Sequence, residues 1–188
     1  MDPKLSIPSR KSKIVTIFGS SRPKAGSPEY EDALLLGKKL SSAGISICTG
    51  GYGGIMEAAS KGAEGSGVQI IGVTTSIFSP TPNEYVNVQV HTQSLYERLE
   101  KLVHFGDGYI ILKGGTGTLV ELSLVWELMN KNIINEKPIL TVKDFWKPVI
   151  ELLDKELAYE GKESCSRFVR VAADAGDAAN KMIDALAG

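Results

Sequence analysis

The stretch ISICTGGYGGIMEAA, residues 45–59, joins a short apolar run to an alanine-rich run through a loop made almost entirely of glycine. The apolar run at 45–49 is typical of a buried strand, and the run at 55–65 predicts a helix. Glycine permits the tight turn between them and lets a ligand approach the backbone closely. A strand followed directly by a helix is the repeating unit of α/β proteins.

The same alternation extends over the rest of the chain. Further strands are predicted at 13–18, 68–74, 86–90, 109–112, 139–142 and 168–172, and further helices at 28–43, 94–105, 119–130, 146–159 and 175–186. Ser27 before Pro28 and the pair Ser94 and Glu97 are helix-start signals. The alternation predicts a three-layer α/β fold, with a doubly wound, Rossmann-like parallel sheet. We expect residues 13–188 to form a single domain after a flexible tail at 1–12.

Composition excludes several classes of protein. The 188 residues carry 21 basic and 22 acidic side chains, whereas a general nucleic-acid binder usually has a clear basic excess. Cys48 and Cys165 form no CxxC pair and there are only two histidines, which disfavours a metal site. No apolar run approaches the roughly 20 residues that span a bilayer, and the N-terminus lacks a signal-peptide core. We therefore predict a cytoplasmic protein with no nucleic-acid or membrane partner.

Three glycine-containing loops follow the first, second and fifth strands. In a parallel sheet with right-handed crossovers, such loops lie at one edge, where ligands of open α/β sheets bind. The amides at a helix N-terminus favour an anion, so phosphate is the expected guest, although three tight turns are the alternative. The predicted binding residues are Gly19, Ser20, Ser21, Gly51, Gly53, Gly54, Gly114, Gly115, Thr116, Gly117 and Thr118.

The loops fit neither of two common phosphate-binding patterns. The loops after the second and fifth strands do not end in the Lys-Ser/Thr pair of a P-loop. Met56 and Val120 stand where a dinucleotide fingerprint requires its third glycine. A mononucleotide in one compact cleft is the better prediction.

Three charged residues lie near these loops in the sequence. Glu121 follows Thr118 by three residues; it either closes a capping box or faces the ribose or base, since a carboxylate would repel phosphate. Glu57 begins a helix, where it binds ligand or merely complements the helix dipole. Spacing alone does not single out Arg98, and a solvated face is the alternative to a role in the site, because charged residues surround it.

Three ordered motifs, IFGSS at 17–21, TGGYGGIMEAASKGA at 49–63 and KGGTGTLVEL at 113–122, resemble the LOG (Lonely Guy) family. These are cytokinin riboside 5′-monophosphate phosphoribohydrolases, often mislabelled as lysine decarboxylases. The resemblance implies hydrolysis of the N-glycosidic bond of a nucleoside 5′-monophosphate, a cytokinin riboside monophosphate or AMP. It also implies that the glycine loops hold the phosphate, that Glu121 and Arg98 are catalytic, that no cofactor is needed and that the chain forms a homodimer.

Two residues depart from the family pattern. Lys113 replaces the proline of PGGxGTxxE, and Leu99 replaces the lysine of an ERK run that supplies Arg98. A non-catalytic carrier is therefore the alternative, because molybdenum cofactor carriers of the same superfamily share the glycine loops. A pyridoxal-phosphate decarboxylase finds no support. The apolar helix after Glu121 must be buried, either in the core or against a partner.

Overall fold

The computed structural model describes residues 12–162 and 167–187. Its seven strands form one parallel sheet in the order β4-β3-β2-β1-β5-β6-β7. The strands are β1 (Ile14–Phe18), β2 (Ser46–Thr49), β3 (Ile70–Thr75), β4 (Val88–Thr92), β5 (Gly108–Ile111), β6 (Ile139–Val142) and β7 (Val169–Ala172). The helices are α1 (Pro28–Ser42), α2 (Ile55–Gly62), α3 (Leu95–Phe105), α4 (Thr116–Asn130), α5 (Lys147–Tyr159) and α6 (Ala175–Ala187).

Two apolar cores lie on opposite faces of the sheet. Helices α1, α2 and α6 cover one face, and α3, α4 and α5 cover the other. Strands β1, β2, β3, β5 and β6 are buried along their whole length, because helices exclude water from both sides. The predicted three-layer, doubly wound parallel fold is confirmed.

Helices α1 and α2 approach each other closely at two glycines. A Cβ at Gly37 would lie 2.1 Å from the Ala59 oxygen, and a Cβ at Gly62 would lie 2.1 Å from the Leu34 oxygen. Any larger residue would therefore push the helices apart. This contact holds α2 and the glycine loop before it against the sheet.

Several predicted boundaries were wrong by a few residues. Helix α2 ends at Gly62 rather than residue 65, β3 begins at Ile70, and β4 is Val88–Thr92 rather than 86–90. The β4 boundary shifts because Asn87 uses its side chain to accept a hydrogen bond from Ile70 N, so regular pairing begins at Val88. Ser27 is the N-cap of α1, but its side chain makes no cap hydrogen bond.

The largest boundary correction concerns α4. The predicted start was residue 119 with Thr118 as the cap, whereas the helix begins at Thr116 and Gly115 is the N-cap. Gly117 lies in the first turn, whose amides have no intrahelical partners. Glu121 consequently lies in the second turn, and the alternative that it closes a capping box with Thr118 is wrong.

Among the described residues, no helix is long and apolar enough to cross a membrane. The predicted tail at 1–12 lies outside them except for Ser12, as does Cys165.

Candidate active site

The three glycine loops meet at the carboxyl edge of the sheet, as the sequence predicts. Ser20 joins them: its backbone amide donates to the Lys113 oxygen at 3.1 Å, and its oxygen accepts from the Ile55 amide at 3.0 Å. The loop after β1 thus holds the loops before α2 and α4 together. This arrangement leaves a cleft between them.

The cleft contains a cavity of about 530 Å³. Its lining residues come from four loops and three helices: Gly19, Ser20, Ser21, Arg22, Tyr52, Met56, Phe78, Arg98, Gly115, Thr116, Gly117, Thr118 and Glu121. Nine of the predicted site residues are therefore brought together here. Gly114 lines a smaller neighbouring cavity, which shares Ser20 and Arg22 with the first.

Helix α4 directs its N-terminus into the cavity. The Leu119 amide donates to the Gly115 oxygen at 3.0 Å, which is the first hydrogen bond of the helix. The amides of residues 116–118 come before it and have no acceptor within the helix. A Cβ at Gly115 or Gly117 would meet no atom within 4 Å. The backbone here is open to a ligand, and the helix dipole favours an anionic one.

The glycines of the second loop lie behind the cavity wall. Gly51 and Gly54 have positive φ angles of 77° and 70°, and a Cβ at Gly54 would lie 2.6 Å from the Ser20 oxygen. Gly53 lies next to Ser21, and Glu57 accepts a hydrogen bond from the Tyr30 hydroxyl at 2.9 Å. These four predicted site residues do not line the cavity, and their contacts in the structure shape the loop.

Arg98 lies on the floor of the cavity and is only 6% exposed. Its Nε donates to the Val73 oxygen at 2.9 Å, and its guanidinium lies 5.6 Å from the centre of the Tyr52 ring. Gly50 makes room for it, since a Cβ there would lie 1.8 Å from Nη2. The interpretation of Arg98 as a solvated surface residue is therefore wrong.

Glu121 is next to Arg98, with Oε1 3.9 Å from Nη1, and its side chain is 12% exposed. Burial penalises the charged carboxylate and raises the pKa of Glu121 to about 7. Arg98 opposes this shift but does not cancel it. A carboxyl group that titrates near neutrality inside a cavity is characteristic of functional sites.

Comparison with known proteins matches residues 12–165 to the SLOG cluster4 family. The chain belongs to this family, within the LOG family of proteins.

Three curated LOG-family relatives have named activities. A probable cytokinin riboside 5′-monophosphate phosphoribohydrolase of Oryza sativa subsp. japonica is 28% identical over 184 residues, covering 93% of this chain and 78% of the relative. A second rice enzyme of that name is 32% identical, and the alignment covers 78% of this chain and 62% of the relative. The pyrimidine/purine nucleotide 5′-monophosphate nucleosidase of Escherichia coli (strain K12) is 34% identical over 82% of this chain, which spans 37% of that protein.

Solved structures show the same fold at lower identity. The molybdenum cofactor carrier protein of Chlamydomonas reinhardtii superposes with a TM-score of 0.74 at 22% identity, covering 95% of this chain and all of the other. The molybdenum cofactor binding protein of Rippkaea orientalis gives 0.72 at 24%, covering 96% of this chain and all of the other. The LOG-family fold is therefore shared by proteins whose names describe enzymes and by proteins whose names describe carriers.

Four residues that line this LOG-family cavity were missed from the sequence: Arg22, Tyr52, Met56 and Phe78. Arg22 directly follows the first glycine loop, and Tyr52 stands between the glycines of the second, so position could have indicated both. Phe78 lies in a proline-containing loop far from any motif. The burial of Arg98 could have been found from its spacing with Leu102 and Phe105, which lie on the same buried helix face.

The two departures from the LOG-family pattern differ in their surroundings. Lys113 is half exposed, pairs with Glu29 at 3.0 Å and lies 5.8 Å from the centre of the Phe145 ring. Leu99 is partly buried on α3, next to Arg98. Among residues 12–162 and 167–187, no group of three His, Cys, Asp or Glu side chains could hold a metal.

Proposed function

We propose that this protein hydrolyses the N-glycosidic bond of a nucleoside 5′-monophosphate and releases the free base and ribose 5-phosphate. One observation carries the proposal: the cavity that receives the α4 N-terminus also contains Glu121, buried beside Arg98. The helix N-terminus can bind the phosphate of a phosphorylated glycoside, and the Glu121 carboxylate in the same cavity can act at its glycosidic bond. The names of the relatives support the same reaction.

The proposed roles follow from the chemistry of the bond. The amides of residues 116–118 hold the 5′-phosphate, which directs the ribose toward Glu121. Cleavage moves the electron pair of the C1′–N bond onto the base and leaves positive charge on the sugar. The ionised Glu121 stabilises that charge or takes a proton from the attacking water, whose oxygen bonds to C1′. The departing base gains a proton, so water is the only co-substrate.

Arg98 acts on Glu121 and on the ligand. Its attraction keeps part of the Glu121 population ionised near neutral pH, because without it burial alone would set the pKa. Its backbone hydrogen bond and the Tyr52 ring hold the guanidinium still. A cation held in place in this way stabilises charge in the transition state without having to move during the reaction.

The test is to incubate the protein with AMP, an N6-substituted AMP of the cytokinin type and the other nucleoside 5′-monophosphates. Chromatography then measures the free base that is released. Glu121→Gln should bind nucleotide but lose about 10²–10⁴-fold in rate. Glu127→Gln is the matched control, because Glu127 lies on the exposed face of the same helix. A Glu121→Gln variant that is as active as wild type contradicts the proposal.

A non-catalytic carrier is the second candidate. Its support is that two proteins of the same fold are named as molybdenum cofactor binding or carrier proteins. In that case the wild type binds a phosphorylated ligand and releases no base from any nucleotide. Lys113 and Leu99 are then the first substitutions to revert, to proline and lysine.

We also propose a homodimer, supported by apolar side chains on the outer surfaces of α4 and α5, among them Val120, Leu152 and Leu153. The cytoplasmic location stays a prediction.

A further inference from the structure

Two aromatic rings lie at the end of the cavity opposite α4. Tyr52 follows β2 and Phe78 follows β3, and their rings are edge to face with centroids 6.0 Å apart. Phe78 lines the cavity and is 62% exposed, although an aromatic ring of this size is usually buried. We call this pair the aromatic platform.

The loop that carries Phe78 is anchored to the second glycine loop. The Tyr52 hydroxyl accepts from the Thr75 amide at 2.8 Å and donates to the Ser79 oxygen at 3.0 Å. The Asn83 side-chain amide donates to the oxygens of Gly51 and Tyr52 at 3.1 and 3.0 Å. The exposed ring therefore stands on a fixed support, which lowers the entropic cost of using it in binding.

The strand order sets the distance between the two ends of the cavity. Helix α4 follows β5, so the order β3-β2-β1-β5 separates it from the Phe78 loop by three strand spacings, or about 14 Å, and from the Tyr52 loop by two, or about 10 Å. Arg98 lies 5.6 Å from the centre of the Tyr52 ring and 3.9 Å from Glu121 of α4, so these two side chains connect the ends of the cavity. A nucleotide whose phosphate is at α4 and whose ribose is over Glu121 directs its base toward the platform.

We propose that Phe78, supported by Tyr52, stacks on the nucleobase and that the site accepts purine and pyrimidine monophosphates alike. This rests on the proposed function for the direction of the ligand. The platform offers ring faces rather than hydrogen bonds, because the Tyr52 hydroxyl already has backbone partners. Met56, which also lines the cavity, is apolar, and the Arg98 guanidinium beside the Tyr52 ring already donates through Nε to the Val73 oxygen. Stacking is tolerant of base identity, whereas strong discrimination requires hydrogen-bond readers.

The experiment measures binding, so that it does not depend on turnover. Calorimetric titrations compare AMP, CMP and ribose 5-phosphate, all in a Glu121→Gln background that consumes the nucleotides at least about a hundredfold more slowly. Phe78→Ala should weaken AMP and CMP binding by at least about fivefold, as expected for a lost base–aromatic stack. Ribose 5-phosphate binding should stay unchanged, since it has no base. Phe78→Trp should restore nucleotide binding.

Ile77→Ala is the matched control, because Ile77 is the neighbouring residue, is 58% exposed and does not line the cavity. It should leave all three ligands unaffected. Equal weakening of ribose 5-phosphate and AMP by Phe78→Ala would overturn the proposal, as would unchanged nucleotide binding. A preference of more than about a hundredfold between AMP and CMP would overturn the tolerance for different bases. Failure of the proposed hydrolysis is a separate result: wild type then binds both nucleotides through Phe78 and releases no base.

Discussion

At the scale of single residues, the charge of Glu121 is a balance between burial and Arg98. Burial raises the pKa of Glu121 to about 7, and the guanidinium 3.9 Å away limits the rise. The unfolded chain loses this proton near the ordinary value of 4.5. Because the folded state binds the proton more tightly, the contribution of Glu121 to stability is fully present below pH 4.5 and is lost as the pH rises through about 7. The folded protein thus holds an ionised Glu121 at a cost in stability.

We therefore expect Glu121→Gln to stabilise the protein at pH 8 and to have little effect at pH 4.5. The shift of the pKa from 4.5 to about 7 corresponds to a gain on the order of 3 kcal/mol at pH 8. Urea unfolding at both pH values measures it, with Glu127→Gln on the exposed face of α4 as the control. If Glu121→Gln changes the free energy of unfolding equally at both pH values, the ionisation of Glu121 is not the cause of that change.

Resemblance and local pattern together identified most of the residues that line the site, but not their electrostatics. Arg98 and Glu121 come from the family motifs, whereas the burial of both depends on packing between α3, α4 and the sheet. Phe78 could not be predicted, because its place is set by hydrogen bonds from Tyr52 and Asn83 across the sequence. The sequence pattern predicts loops at one edge and leaves open which side chains those loops present.

At the scale of elements, the start of α4 separates two kinds of glycine. Gly114 is packed against the helix it precedes, since a Cβ there would lie 2.2 Å from Thr118 Oγ1. Gly115 faces open space in the cavity. From the sequence alone both glycines belong to one loop, because the start of the helix is not visible there. The first turn contains Gly117, and helix propensity disfavours glycine in a helix.

Gly115→Val should weaken monophosphate binding about tenfold or more, because the side chain occupies the space beside the first-turn amides. Its melting temperature and helical circular dichroism should match wild type. Gly114→Ala should instead lower the melting temperature, because its Cβ would collide with Thr118. Calorimetric titration with AMP and thermal unfolding of both variants measure the contrast. If Gly115→Val binds AMP as wild type does, the phosphate does not bind at α4.

At the scale of the whole molecule, the strand order explains why the cavity lies where it does. The chain runs outward from β1 in one direction through β2, β3 and β4, and returns to the other side of β1 with β5. The loops after β1 and β5 separate at this reversal and leave a crevice, which is the usual ligand site of open α/β sheets. Alternation of strands and helices predicts the layers and the edge, while the position of the reversal depends on long-range pairing that local patterns do not contain.

The outer surface of the α4 and α5 layer carries exposed leucines that a second copy of the chain could cover. Leu152 is 67% exposed, and Leu153 and Leu157 border a shallow groove with Trp126 of α4. Because the same helix α4 carries Glu121, a partner on this surface would also brace the site. In a two-fold dimer each substitution occurs twice, so two introduced charges are buried without partners in the interface, which costs several kcal/mol. Leu152→Glu should therefore convert a dimer into a monomer in sedimentation velocity at micromolar concentration. Leu35→Glu, at an exposed leucine of α1 on the other layer, should not. A monomeric wild type, or dissociation by Leu35→Glu alone, would contradict an interface on α4 and α5.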